Sequence, residues 1–136
     1  MKLTPYLHFQ GKCEEAFNTY KSILGGSFEI VSRYDEPAMK APEEFKNQVL
    51  HAWYKFDDNM ILASDTFPGT TVTAGSNTLL SLAVEEEGQA RKIFSQLAEG
   101  GTIMMPFERQ FWGDLFGQLT DRFGIRWMLF CEQKAV

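Results

Sequence analysis

Apolar positions along this chain follow two rhythms, one of strands and one of helices, and the order of those rhythms occurs twice. Residues Leu3 to Gln10 form a short apolar and aromatic run of strand length, which Gly11 ends. From Cys13 to Leu24 the residues Ala16, Phe17, Tyr20, Ile23 and Leu24 fall three and four apart, which predicts an amphipathic helix. Glu14 and Glu15 suit the positive end of its dipole, and Gly25-Gly26 stops it. Phe28 to Tyr34 alternates as a strand, and residues 35–47, with Pro37, Pro42 and many charges, read as a loop. Gln48 to Phe56 and Met60 to Asp65 read as a hairpin turning at Asp57-Asp58-Asn59.

The pattern then begins again. Residues 66–76 (TFPGTTVTAGS) form a Gly/Thr-rich connector. Asn77 to Val84 reads as a strand, Glu85 to Glu99 as a helix with Ala90, Ile93, Phe94 and Leu97 on one face, and Gly100-Gly101 as its stop. Ile103 to Phe107 is a strand, and Leu115 to Thr120 with Ile125 to Glu132 a second hairpin. Ala16, Tyr20 and Ile23 correspond to Ala90, Phe94 and Leu97, and Gly26-Ser27-Phe28 corresponds to Gly101-Thr102-Ile103. Each half therefore reads β-α-β-β-β, one module over about 1–65 and one over about 77–134. Repetition of a whole supersecondary unit points to duplication, because one such unit leaves a sheet face uncovered.

Composition narrows the partners. A net charge of −5 and the absence of a Lys/Arg cluster argue against nucleic acid, whose phosphates demand a basic face. No apolar run approaches the length of a membrane span, and no basic segment followed by an apolar run marks a secretory signal. Cys13 and Cys131 are the only cysteines and read as a reduced pair in a cytoplasmic protein. Twelve Phe, four Tyr and three Trp supply either a bulky core or an aromatic-lined cavity.

Several motifs resemble one family: Pro5-Tyr6-Leu7-x-Phe9, Tyr20-x-x-x-Leu24-Gly25, Met60-Ile61-Leu62-Ala63-Ser64-Asp65, and the long run Phe111-Trp112-Gly113-x-x-Phe116-Gly117-x-x-x-Asp121-x-Phe123-Gly124-x-x-Trp127. They are similar to those of the PhnB-like branch of the vicinal oxygen chelate superfamily, which includes glyoxalase I, extradiol dioxygenases and antibiotic-resistance proteins. The resemblance implies an α+β fold of two tandem βαβββ modules, forming a cupped, mostly antiparallel sheet with helices outside, assembled as a homodimer. In metal-dependent members four side chains inside the cup hold a divalent ion that acts as a Lewis acid. By resemblance those positions fall on Pro5, Thr78, Met128 and near Trp53. Proline offers no donor atom, methionine is a poor ligand for a hard cation and threonine is rarely chosen, so the resemblance implies a scaffold without the metal.

Of the two histidines, His8 lies three positions from Pro5, so alternation along a strand turns it away from the cup. His51 shares a face with Trp53 and could reach the cavity. Asp65, Glu108 and Glu132 could add oxygens but read as solvated strand ends. Asp121-Arg122-Phe123-Gly124 reads as a hairpin turn, its carboxylate accepting from following N–H groups. Phe111-Trp112-Gly113 reads either as pocket wall or as core, and Glu108 with Arg109 as charges orienting a ligand or facing water. Cys13, at a helix start, is a thiol whose pKa could be lowered, but it has no evident base partner. Phosphate-loop, Gly-x-Gly-x-x-Gly and Gly-x-Ser-x-Gly motifs are absent, and no nucleotide-binding βαβ unit supports a methyltransferase reading.

The expectation is a cytoplasmic, PhnB-like small-molecule-binding protein that takes a small organic ligand through His51, Trp53, Glu108, Phe111 and Trp112, with no cofactor. The alternatives are a metal-dependent lyase, isomerase or dioxygenase with relocated ligands, or an interaction module whose cup its own Phe and Trp residues fill. Whether the chain is an enzyme stays open.

Overall fold

The computed structural model describes residues 1–132, and it contains two compact units, Met1–Thr73 and a second beginning at Ala74. Residues 133 and 134 of the expected second module lie outside the described residues.

The first unit contains β1 (Tyr6–Phe9), α1 (Cys13–Leu24), β2 (Ser27–Arg33), β3 (Val49–Phe56) and β4 (Asn59–Asp65). The second contains β5 (Leu80–Ala83), α2 (Glu87–Ala98), β6 (Thr102–Arg109), β7 (Leu115–Thr120) and β8 (Arg126–Cys131). The sheets have strand orders β1-β4-β3-β2 and β5-β8-β7-β6, the same path traced twice. In each, one parallel pair (β1 with β4, β5 with β8) adjoins two antiparallel pairs, so both sheets are mixed and mostly antiparallel. The fold is α+β, built of two tandem βαβββ modules. The elements are those the hydrophobic pattern predicts, with shorter opening strands and a β6 that runs two residues further, to Arg109. The loop 35–47 carries short 3-10 turns at Pro37–Met39 and Glu43–Phe45.

Each helix dries one face of its own sheet. α1 buries Cys13, Ala16, Phe17 and Tyr20, and α2 buries Ala90, Ile93, Phe94 and Leu97, all at helical spacing. Phe17 meets Phe28 and Tyr54 with ring centroids at 6.0 and 5.6 Å, and Phe94 stacks on Phe107 at 5.3 Å. Burying one such phenylalanine contributes about 2–3 kcal/mol. Alternation then divides the strands. Ala52, Tyr54, Phe56, Ile61 and Ala63 are buried beneath α1, and Leu115, Leu119, Trp127, Leu129 and Cys131 beneath α2.

The paired glycines do more than end the helices. A Cβ on Gly26 would stand 2.0 Å from the carbonyl oxygen of Lys55, and one on Gly101 would stand 2.1 Å from that of Thr120. No side chain fits there, so each helix exit passes directly over the backbone of its module's antiparallel strands.

The helix starts are held differently. The side chain of Glu86 accepts from Gly88 N and Gln89 N, at 2.9 and 2.6 Å, and these bonds lower its pKa. At α1 that role falls to a residue far along the chain. Asp65, 2% exposed, accepts from Cys13 N at 3.0 Å and from Val49 N at 2.8 Å. Its own carbonyl accepts from the Tyr34 hydroxyl at 2.9 Å. The expectation that Asp65 is a solvated strand end is therefore corrected: its carboxylate joins α1, β3 and β4 inside the protein. Asp65→Ala would strip two buried N–H groups of their partner and destabilise the fold by about 2–4 kcal/mol. Urea unfolding followed by far-UV circular dichroism measures it. A loss below about 1 kcal/mol, the range of an exposed surface substitution, would contradict this role.

Candidate functional site

The face of each sheet opposite its helix carries the candidate chemistry. In the first unit the registers place Tyr6, Leu62, Trp53 and Glu29 side by side across β1, β4, β3 and β2. Two residues along, His8 pairs with Ser64, and His51 pairs with Ser32. The Tyr6 hydroxyl lies 3.1 Å from His51 Nδ1, and the Ser64 hydroxyl lies 3.1 Å from His8 Nδ1. The Tyr6 ring neighbours both imidazoles, its centroid 5.2 Å from that of His8 and 5.8 Å from that of His51. Lys55 Nζ lies 4.8 Å from the centre of the Trp53 ring, a cation–π contact on the same face.

The second unit differs in chemistry. Ser81, Met128, Gln118 and Met105 make one cross-strand row, and Ala83, Phe130, Phe116 and Glu108 the next. Beyond β6 the segment Gln110–Asp114 turns back tightly. Gly113 N donates to Gln110 O, Gln110 N donates to Asp114 O, and the Arg109 guanidinium donates to Gly113 O at 2.9 Å. This turn presents Phe111, 98% exposed, and Trp112, 49% exposed, with their rings edge to face at 4.9 Å. Trp112 reaches Phe116 at 6.1 Å. Of the two readings open for Phe111 and Trp112, core packing is excluded.

The five expected ligand contacts thus divide by unit. His51 and Trp53 share the helix-free face of the first sheet, while Glu108, Trp112 and Phe116 neighbour one another on the second, with Phe111 at the turn. His8 requires a correction. Leu7 and the buried Phe9 belong to the helix side of β1, so Tyr6 and His8 belong to the face that carries His51. The expectation had counted the alternation from Pro5, which precedes the strand. The serine and tyrosine partners of the two histidines were missed altogether, although the Tyr6-x-His8 spacing already puts both side chains on one face.

The positions assigned to a divalent ion do not fit one. Pro5 and Thr78 precede β1 and β5, and Trp53 and Met128 bring an indole and a thioether. Among the described residues no three of His, Cys, Asp or Glu are grouped so as to hold a metal. Asp121, in the turn before β8, is engaged elsewhere. One oxygen accepts from Phe123 N and Ile125 N at 2.9 and 3.0 Å, as a turn requires, and the other accepts from Trp127 Nε1 at 2.9 Å. Gly124, at φ 88°, closes that turn. The carboxylate thus anchors the buried Trp127.

Cys13 is fully buried, and burial together with the charges of Asp65 and Glu14 pushes its thiol pKa far above the usual range, opposite to the lowering that its helix start suggested. It is predicted to resist iodoacetamide in the native protein near pH 8 and to react once the chain is unfolded in urea. Modification of Cys13 in native protein as fast as in unfolded protein, followed by peptide mass spectrometry, would contradict this.

A family model described as 3-demethylubiquinone-9 3-methyltransferase matches residues 1–130. The crystal structure of protein PA1353 from Pseudomonas aeruginosa is similar over 98% of this chain and 99% of that one, at 36% identity and a TM-score of 0.86. The PhnB protein from Bacillus cereus is similar over 97% of this chain and 100% of its own, at 31% identity and a TM-score of 0.82. A glyoxalase/bleomycin resistance protein from Albidiferax ferrireducens T118 shares the fold alone, at 14% identity and a TM-score of 0.63 over 97% of this chain and all of that one.

Proposed function

This chain belongs to the 3-demethylubiquinone-9 3-methyltransferase model family, the PhnB-like branch of the glyoxalase/bleomycin resistance superfamily, and from that membership we propose that it binds a small organic molecule on the helix-free faces of its sheets. The observation that carries this reading is chemical. Those faces expose aromatic rings with a few fixed polar groups beside them, the composition of a small-molecule site. Tyr6 and Trp53 stand with His8, His51 and Ser64 in the first module, and Phe111, Trp112 and Phe116 stand with Glu108 and Gln118 in the second. His51, Trp53, Glu108, Phe111 and Trp112 are the proposed contacts.

The description of the family model names a methyl transfer. The sheets here are built of antiparallel hairpins with one parallel pair each, rather than of the successive parallel βαβ units that cradle a nucleotide-like cofactor at a switch point. Binding is therefore the function proposed, with no cofactor assigned. The scaffold is further proposed to act as a cytoplasmic homodimer. β6 supports the assembly, as an edge strand exposing Ile103, Met104 and Met105. A light-scattering mass near twice the 15.5 kDa of the chain is expected, and the monomer mass would overturn it.

A ligand that binds only the native state must raise the melting temperature. A thermal-shift panel of small aromatic and carboxylic metabolites should contain compounds that do so. Trp112→Ala, a change at an exposed ring, is expected to leave the unliganded melting temperature within about 2 °C and to reduce the ligand-induced rise. A panel without a single shift, or a rise that survives both Trp112→Ala and Trp53→Ala, would contradict the reading.

A further inference from the structure

The row His8–Tyr6–His51 goes beyond a general aromatic surface. Each imidazole has one nitrogen already committed: His8 Nδ1 to the Ser64 hydroxyl and His51 Nδ1 to the Tyr6 hydroxyl, both at 3.1 Å. A phenol is a far better donor than acceptor, so Tyr6 donates its proton to His51 Nδ1 and the ring hydrogen of His51 must sit on Nε2. A serine hydroxyl donates as readily as it accepts, so at His8 the same tautomer follows when the buried Ser64 hydroxyl donates to Nδ1. Neither Nε2 has a hydrogen-bond partner among the described residues. Two imidazoles are thereby held on one face, each by its Nδ1, with the Nε2 edge left to a ligand.

Acceptors of opposite charge suit such a pair, since a hydrogen bond to an ionised oxygen is about twice as strong as a neutral one. The surroundings set which end of a ligand goes where. Tyr6, Leu62 and Trp53 form an apolar and aromatic floor beside the two imidazoles. Glu29, the next residue in that row, is an acid that repels a second anionic group on the β2 side. We propose that this face of the first module recognises an amphipathic carboxylate, with its oxygens accepting from His8 Nε2 and His51 Nε2 and its apolar body resting on Leu62 and Trp53. Tyr6 and Ser64 act as positioning residues. The inference rests on the small-molecule reading above and names the ligand class for one part of that surface.

Phenylacetate and its neutral counterpart phenylacetamide test it on the intact chain, by nitrogen-15 NMR of the histidine rings. In the free protein both rings should show the Nε2–H pattern. Phenylacetate should shift the Nε2 resonances of both histidines, and phenylacetamide should bind at least about fivefold more weakly. His8→Gln and His51→Gln should each weaken phenylacetate at least about fivefold while leaving phenylacetamide unchanged. Tyr6→Phe keeps the ring but removes the donor. It should return His51 to a mixture of tautomers and weaken phenylacetate alone, a signature that loss of packing would not produce. Equal binding of acid and amide would overturn the carboxylate inference and leave small-molecule binding standing. Loss of phenylacetate with Lys55→Gln, but with neither histidine variant, would assign the anion to the ammonium beside Trp53 and overturn it as well. Failure of both probes would also overturn it, and the thermal-shift panel then decides whether the broader reading falls too.

Discussion

A four-stranded sheet served by a single twelve-residue helix can dry only one of its faces, and this constraint governs each module of the chain. The covered side must be apolar and close-packed, and the opposite side is released from that demand. The residues divide accordingly, with Phe17 and Tyr20 of α1 buried against Tyr54 and Ala63 of the sheet, and Tyr6, His8, His51 and Trp53 on the other side.

The helix side is demanding in its geometry. Gly26 and Gly101 occupy equivalent exits where nothing larger than hydrogen clears a backbone carbonyl. Asp65 draws Cys13 and Val49 onto one carboxylate, and Asp121 holds both a turn and Trp127. Tyr54 donates to the Gly25 carbonyl at 2.7 Å, satisfying an acceptor at the end of α1 that the helix cannot. These contacts bind buried polar groups that would otherwise cost more than a packed methyl group gains. The helix-free faces carry fewer such obligations, the buried Ser64 hydroxyl beside His8 being one. They have diverged, one towards imidazole, phenol and hydroxyl groups, the other towards thioethers and phenyl rings.

Most of this scaffold is legible from local pattern. Helical spacing at Ala16, Phe17 and Tyr20, the Gly-Gly stops, the Asp121–Gly124 turn and the repeat itself all express short-range rules. What local reasoning misses is carried by contacts distant in sequence. The burial of Asp65 depends on a backbone N–H from a residue 52 positions earlier, which no window around Ser64-Asp65 reveals. His8 is a different case. Its own strand, Tyr6-Leu7-His8-Phe9, alternates so that Leu7 and Phe9 belong to the core, and the pattern pointed His8 outward. Counting from Pro5, a residue outside the strand, reversed the faces. The module bounds already divide the expected contacts, but which of them neighbour one another on a sheet is set by register, and no local window reveals it.

The central proposal is that this member of the family recognises an organic molecule through side chains alone, because indole, thioether and proline stand at positions that the resemblance assigns to metal ligands. Isothermal titration of a ligand identified by thermal shift, performed with and without an excess of chelator, tests that claim most directly. The account predicts the same affinity in both buffers. An affinity abolished by the chelator and restored by one equivalent of a divalent cation would contradict it.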